Sequence, residues 1–69
     1  MIQRRTHLRA RELRVLELYA QGLKRRYIAE RLGVRPDTVS GYAKTACWTL
    51  GARTIVEDVA LAYERGLIG

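Results

Sequence analysis

The chain has 69 residues and carries 13 Lys+Arg against 7 Asp+Glu, a formal net charge of +6. That length holds one domain and excludes every large α/β enzyme fold, and a core of this size rarely supplies more than about 3–5 kcal/mol. Cys47 is the single cysteine and His7 the single histidine, so neither an intramolecular disulfide nor a zinc site can form, and no metal or cofactor is expected.

No segment approaches the ~20 apolar residues that cross a bilayer. The basic start MIQRRTHLRAREL is not followed by the apolar stretch of a signal peptide. With a lone thiol, this predicts a cytoplasmic protein. The charge is uneven: residues 1–35 carry ten Lys/Arg and three Glu, and residues 36–69 carry three Lys/Arg and four Asp/Glu. Eleven of the cations are Arg, which suits bidentate contact with phosphate. One half therefore seeks a polyanion, and nucleic acid is favoured over charge kept for solubility alone, which places the protein at the nucleoid. A membrane surface calls for a basic helix with a broad apolar face. None is evident, so neither a membrane nor a small-molecule ligand is expected.

In chain order, residues 1–7 read as a basic arm and residues 8–69 as the folded domain. Arg4, Arg5 and His7, with Arg9 just beyond, form a segment that tracks phosphates or enters a minor groove. The first helix is predicted over 10–21, with Val15, Leu16 and Tyr19 in the core. The second spans 24–32 and groups Ile28, Ala29 and Leu32 on one face. The third opens at Pro36, a residue tolerated in a first turn, and runs to Leu50. The fourth spans 54–65, with Thr54 as N-cap and Glu57 at the capping-box spacing. Gly22, Gly33, Gly51 and Gly66 each fall where a helix ends. Strand-type alternation is absent. The fold class is all-α, a four-helix bundle with a central helix-turn-helix.

That motif lies in RRYIAERLGVRPDTVSGYAK, residues 25–44. A small residue is needed where two helices cross, and Ala29 is there. A residue tolerating positive φ is needed four positions later, and Gly33 is there. Ile28, Leu32, Val34, Val39 and Tyr42 supply the apolar pins. An ordinary αα-hairpin does not need these residues in this register.

At about 100° per residue, Val39, Tyr42, Ala43, Ala46 and Leu50 form the inner side of helix 36–50. Asp37, Gly41, Lys44 and Trp48 form the outer side, flanked by Thr38 and Thr45 on one edge and Ser40 on the other. As a recognition helix, it presents that outer side to the major groove. Ser40, Gly41, Lys44 and Thr45 are the candidate base contacts. Lys24, Arg25, Arg26, Thr38 and Trp48, with Arg4 and Arg5 of the arm, are the candidate phosphate contacts, the first three aided by free N–H groups at a helix start. Gly41 in mid-helix costs up to ~1 kcal/mol against Ala, and close approach of the backbone to DNA is a reason to keep it. Asp37 sits where an acid favours a helix start. Trp48 either lies against sugar–phosphate or folds over onto a neighbouring helix. Cys47 reads as a small hydrophobe at the flank of the core face.

The fourth helix carries more apolar surface than one core face buries. Glu57, Asp58 and Glu64 make it acidic, so it is expected to face away from DNA. Its surplus suggests self-association through Ile55, Val59, Ala62 and Tyr63, unless Leu67 and Ile68 fold back over it. Catalysis is not expected: the carboxylates of Glu57 and Asp58 are adjacent and point about 100° apart on a helix, and no nucleophile–base pair is evident.

The segments LRARELRVLELYAQGL, YIAERLGVRPDTVSGY and LGARTIVEDVALAYERGLI together resemble the LuxR/FixJ, or GerE-type, DNA-binding domain. The resemblance runs from about Leu8 to Ile68. It rests on Arg11–Glu12, Val15–Leu16, Gly22, the IAERLGV run, Thr38–Val39, Leu50–Gly51 and the closing Gly66-Leu67-Ile68, an ending that separates it from the fourth region of sigma factors. It implies a four-helix domain that binds DNA as a dimer through its last helix. It further implies that Ser40, Gly41 and Lys44 reach bases and that Thr38 touches phosphate. The chain departs from the family pattern at Arg9, where a capping Thr or Ser is usual, and at Arg14, where Glu is common. It also departs at Ser40 and Gly41, where Lys and a larger residue are usual, at Ala43 and Ala46, which are smaller, and at Trp48, where a charge is usual. Most members of that family also carry a receiver or ligand-binding domain; if Met1 is the true start, the resemblance implies a stand-alone regulator, and if the chain is an excised fragment, that switch has been cut away.

The expected function is a sequence-specific regulator of transcription that binds double-stranded DNA as a homodimer. The alternatives are a protein-interaction module that docks on RNA polymerase or another regulator, and a nucleic-acid accessory protein in recombination or packaging.

Overall fold

The computed structural model describes residues 8–69. Arg4, Arg5 and His7 of the basic arm lie outside the described residues. The described residues form α1 (Ala10–Ala20), α2 (Arg25–Leu32), α3 (Pro36–Leu50) and α4 (Ile55–Glu64), and no strand. None of these helices is long and apolar enough to cross a membrane.

Two apolar clusters sit side by side, and α1 and α3 contribute to both. Val15, Leu18, Ile28, Ala29 and Val39 form one cluster and join α1, α2 and the first half of α3. Leu16, Ala46, Leu50 and Ala62 build the other with Leu8 and Ile68, so the two ends of the described chain meet there. Tyr19, Leu32, Tyr42 and Ala43 are half-buried beside the first cluster rather than inside it. α2 and α4 lie on opposite flanks and do not touch. The helix-turn-helix and the last helix thus present separate surfaces.

The helix ends follow from local chemistry. After α2, Gly33 takes φ 70°, a left-handed conformation that costs a residue with a Cβ about 1–2 kcal/mol. In that geometry Gly33 N–H donates to Glu30 O at 3.2 Å and Val34 N–H to Ala29 O at 3.0 Å, which satisfies carbonyls the helix leaves open. The same pair of bonds closes α4, from Gly66 to Tyr63 at 3.0 Å and from Leu67 to Ala62 at 2.8 Å. Pro36 opens α3 as expected.

At the start of α4, Thr54 Oγ1 accepts from Glu57 N–H at 3.1 Å. The return bond of the expected box goes elsewhere: Glu57 Oε1 accepts from Arg53 N–H at 2.7 Å, one residue before the cap. Arg9 is the N-cap of α1 and part of the folded domain, not of a free arm. Its guanidinium has no acceptor to offer a first-turn N–H. The opposite bond is present, with Glu12 Oε1 accepting from Arg9 N–H at 3.0 Å.

α4 departs most from expectation. Asp58 is fully buried and does not contribute to an acidic outer face. The reason is helical phase, because Ile55, Asp58 and Ala62 share one stripe, and that stripe turns inward. Ala62 is fully buried in the core and so leaves the set of surface residues expected for self-association. Ile55 and Val59 are half-buried, packed against the second cluster. The apolar surface left outside is a different stripe: Val56 at 77% exposure and Tyr63 at 52%, in line with exposed Ala60, with Leu67 at 37% beyond the end of the helix. Ile68 folds back into the core, whereas Leu67 does not.

Candidate nucleic-acid interface

The inner faces of α2 and α3 fix the outer one. Ala29 is 2% exposed and Ile28 and Val39 are fully buried, so the small residue lets the two helices cross closely. That crossing aims α3 so that Asp37, Gly41, Lys44, Thr45 and Trp48 are exposed, with Thr38 and Ser40 half-buried at its edges. Trp48 stays 57% exposed.

Gly41 is helical, and a Cβ built there meets nothing within 4 Å. Among the described residues, nothing requires a glycine at this position. Thr45 Oγ1 donates to Gly41 O at 3.0 Å, and Thr49 Oγ1 to Thr45 O at 2.9 Å. The hydroxyl proton of Thr45 is therefore committed to its own helix. Toward a ligand, Thr45 offers lone pairs and a methyl group rather than a donor.

The start of α2 is cationic. Lys24 is its N-cap, with φ −83° and ψ 159° and no side-chain cap bond; Tyr27 N–H turns back to Lys24 O at 3.0 Å, which leaves the N–H groups of exposed Arg25 and Arg26 as the uncapped ones. Arg26 Nη2 donates to Tyr27 Oη at 3.0 Å, and its guanidinium carbon lies 4.9 Å from the Tyr27 ring centroid. Arg25 turns the other way. Its Nη1 donates to Ser40 Oγ at 2.9 Å, which ties the start of α2 to the edge of α3.

On the far side of Gly41 lies a cleft lined by Arg9, Glu12, Thr38, Gly41, Tyr42 and Thr45. Arg11 Nη1 donates to Tyr42 Oη at 3.3 Å above it. Three expected contacts, Thr38, Gly41 and Thr45, thus share one cleft with the α1 N-cap Arg9. Sequence reasoning left Arg9 in the arm and gave Arg11 no contact. The signal it missed was α1's own phase, because Arg11 stands four residues before the buried Val15 and so lies on the flank of α1 that faces α3.

Behind this face, the Cys47 thiol is pushed up to about 11, by burial first and then by the neighbouring Asp58 carboxyl and Glu57. Burial also pushes the Asp58 carboxyl up, opposed by the nearby Cys47 thiol. Among the described residues neither oxygen of Asp58 has a well-formed hydrogen bond, the Cys47 S–H being a weak donor nearby.

Set against known families, residues 6–62 match the GerE model, described as bacterial regulatory proteins of the luxR family. No curated protein matches the chain.

Proposed function

The chain belongs to the LuxR family of bacterial regulatory proteins, and on that footing we propose that it is a sequence-specific, double-stranded-DNA-binding regulator of transcription, acting at the nucleoid in the cytoplasm. One observation carries the reading. The Ala29–Gly33 turn sets α3 so that its outward side and the cationic start of α2 form one surface, joined by the Arg25–Ser40 bond.

α3 enters the major groove. Ser40 and Lys44 donate to base edges, Gly41 allows the helix backbone to approach, and Thr45 contributes its methyl group and lone pairs. Lys24, Arg26, Thr38 and Trp48 hold the sugar–phosphate backbone, with Arg4 and Arg5 extending that contact along the duplex. Because α2 and α4 do not touch, α4 is free to pair two copies. Its outward stripe of Val56, Ala60 and Tyr63 supports a homodimer better than the half-buried Ile55 and Val59.

The test is a titration of the full chain against a fluorescent duplex across a salt series. Phosphate neutralisation predicts a logarithmic fall in affinity, with a slope of about −0.9 for each phosphate contacted. Duplex binding that is absent at low salt, together with retention on RNA polymerase, contradicts the DNA reading and leaves a polymerase-docking module.

A further inference from the structure

Arg25 opens α2, where a phosphate ligand is expected, yet its guanidinium is turned along the helix crossing onto Ser40 of α3 at 2.9 Å. Ser40 stands at the edge of the outward face, one residue before Gly41 and four before the exposed Lys44. That part of the face is shallow, because Ser40 is short and Gly41 has no side chain. Space for a Cβ at Gly41 is open to 4 Å. A guanidinium reaching over from α2 supplies the length that these two positions lack.

The chemistry of the pair is directional. Arg25 donates to Ser40, so the Ser40 hydroxyl spends a lone pair and keeps its proton to donate outward. Arg25 retains four of the roughly five N–H donors of its fork. Donors from both side chains then stand next to one another. In the major groove, only guanine presents two adjacent acceptors, N7 and O6. A phosphate accepts from a cation in many orientations, whereas a base edge requires the fork to be aimed.

We propose that Arg25, oriented by Ser40, reads a guanine in the major groove, so that α2 contributes a specificity-determining residue beside α3. This rests on the DNA-binding reading above.

The test is selection from a random duplex library by the full chain, by Arg25→Lys and by Ser40→Ala, with folding checked by circular dichroism. Arg25→Lys keeps the charge and loses the fork. The expected result is one G·C position in the wild-type motif whose preference falls roughly 5-fold or more in Arg25→Lys. The other positions and the salt slope stay unchanged, and Ser40→Ala weakens the same position. Identical motifs from all three proteins overturn the proposal. So does an Arg25→Ala variant that loses affinity equally for all sequences, with a slope smaller by about 0.9, because that marks a phosphate ligand. Failure of the wild-type chain to retain any duplex overturns the DNA-binding reading itself, and it is seen before any variant is compared.

Discussion

Asp58 lies fully buried beside the Cys47 thiol, and among the described residues neither of its carboxylate oxygens accepts a well-formed hydrogen bond, only the weak S–H donor of Cys47 lying near. An unsatisfied buried polar group costs about 1–3 kcal/mol. Asp58→Ala is therefore expected to stabilise the domain at neutral pH by about 1 kcal/mol or more, measured by urea unfolding. The pH dependence has a fixed sign. Burial raises the folded-state pKa of Asp58, so the folded state holds that proton more tightly than the unfolded one. This contribution is present below the ordinary aspartate value of about 3.9 and is lost as pH rises through the raised folded value. The stability gap between Asp58→Ala and the wild type should widen over that rise and then level off. A variant less stable than the wild type at neutral pH contradicts this.

The same neighbourhood predicts an inert thiol. With its pKa pushed up to about 11, Cys47 holds little thiolate at neutral pH. The thiolate fraction is then roughly 300-fold smaller than for a free cysteine of pKa about 8.5, and alkylation by iodoacetamide should be slower by at least about 10-fold, the higher nucleophilicity of a high-pKa thiolate offsetting part of that loss. Asp58→Ala should speed it up by removing the adjacent carboxyl. Equal rates in the native and unfolded chain would show that the carboxyl and the burial do not act on this sulfur.

Gly33 and Gly41 should respond in opposite ways to alanine. Gly33 has φ 70°, so Gly33→Ala is expected to cost about 1–2 kcal/mol. Gly41 is helical with open space around it, so Gly41→Ala should raise stability by up to ~1 kcal/mol. If the backbone at Gly41 approaches DNA, the same substitution lowers duplex affinity. Paired thermal melts and binding titrations read both effects, and a Gly41→Ala protein that binds as well as the wild type removes the close approach.

Lys44 and Lys24 separate reading from holding. Lys44→Ala should lose about 1–3 kcal/mol on the preferred site and less on random DNA. Lys24→Ala should weaken both equally and reduce the salt slope by about 0.9. Equal losses for Lys44→Ala would make it a phosphate ligand.

The α4 stripe predicts a second separation. Val56→Glu places a charge on the most exposed large apolar residue of the domain, 77% accessible, without touching the core. Folding should persist, binding to a single half-site should be unchanged, and cooperative occupancy of a paired site should be lost, as read by gel shift on one- and two-half-site duplexes. Retained cooperativity would move the dimer contact away from α4.

Much of this was legible before the structure. Pro36 and Gly51 bound α3 in the sequence and in the fold alike, because a first-turn proline and a left-handed glycine each act through local backbone geometry. The Ala29–Gly33 spacing was likewise local. What the sequence hid lies where two faces compete. Asp58 looked like a surface acid because its charge outweighed its phase, yet the stripe it shares with Ile55 and Ala62 faces inward. The Arg25–Ser40 bond joins residues fifteen apart, and only the crossing angle of α2 on α3 brings them together.

The central claim is that α3 reads sequence in duplex DNA. It is tested most directly by incubating the full chain with a random duplex library near physiological salt and sequencing what is retained. The predicted result is enrichment of two inverted half-sites about one helical turn apart, each containing a G·C pair. Retention without any enriched motif, or no retention at all, would contradict it.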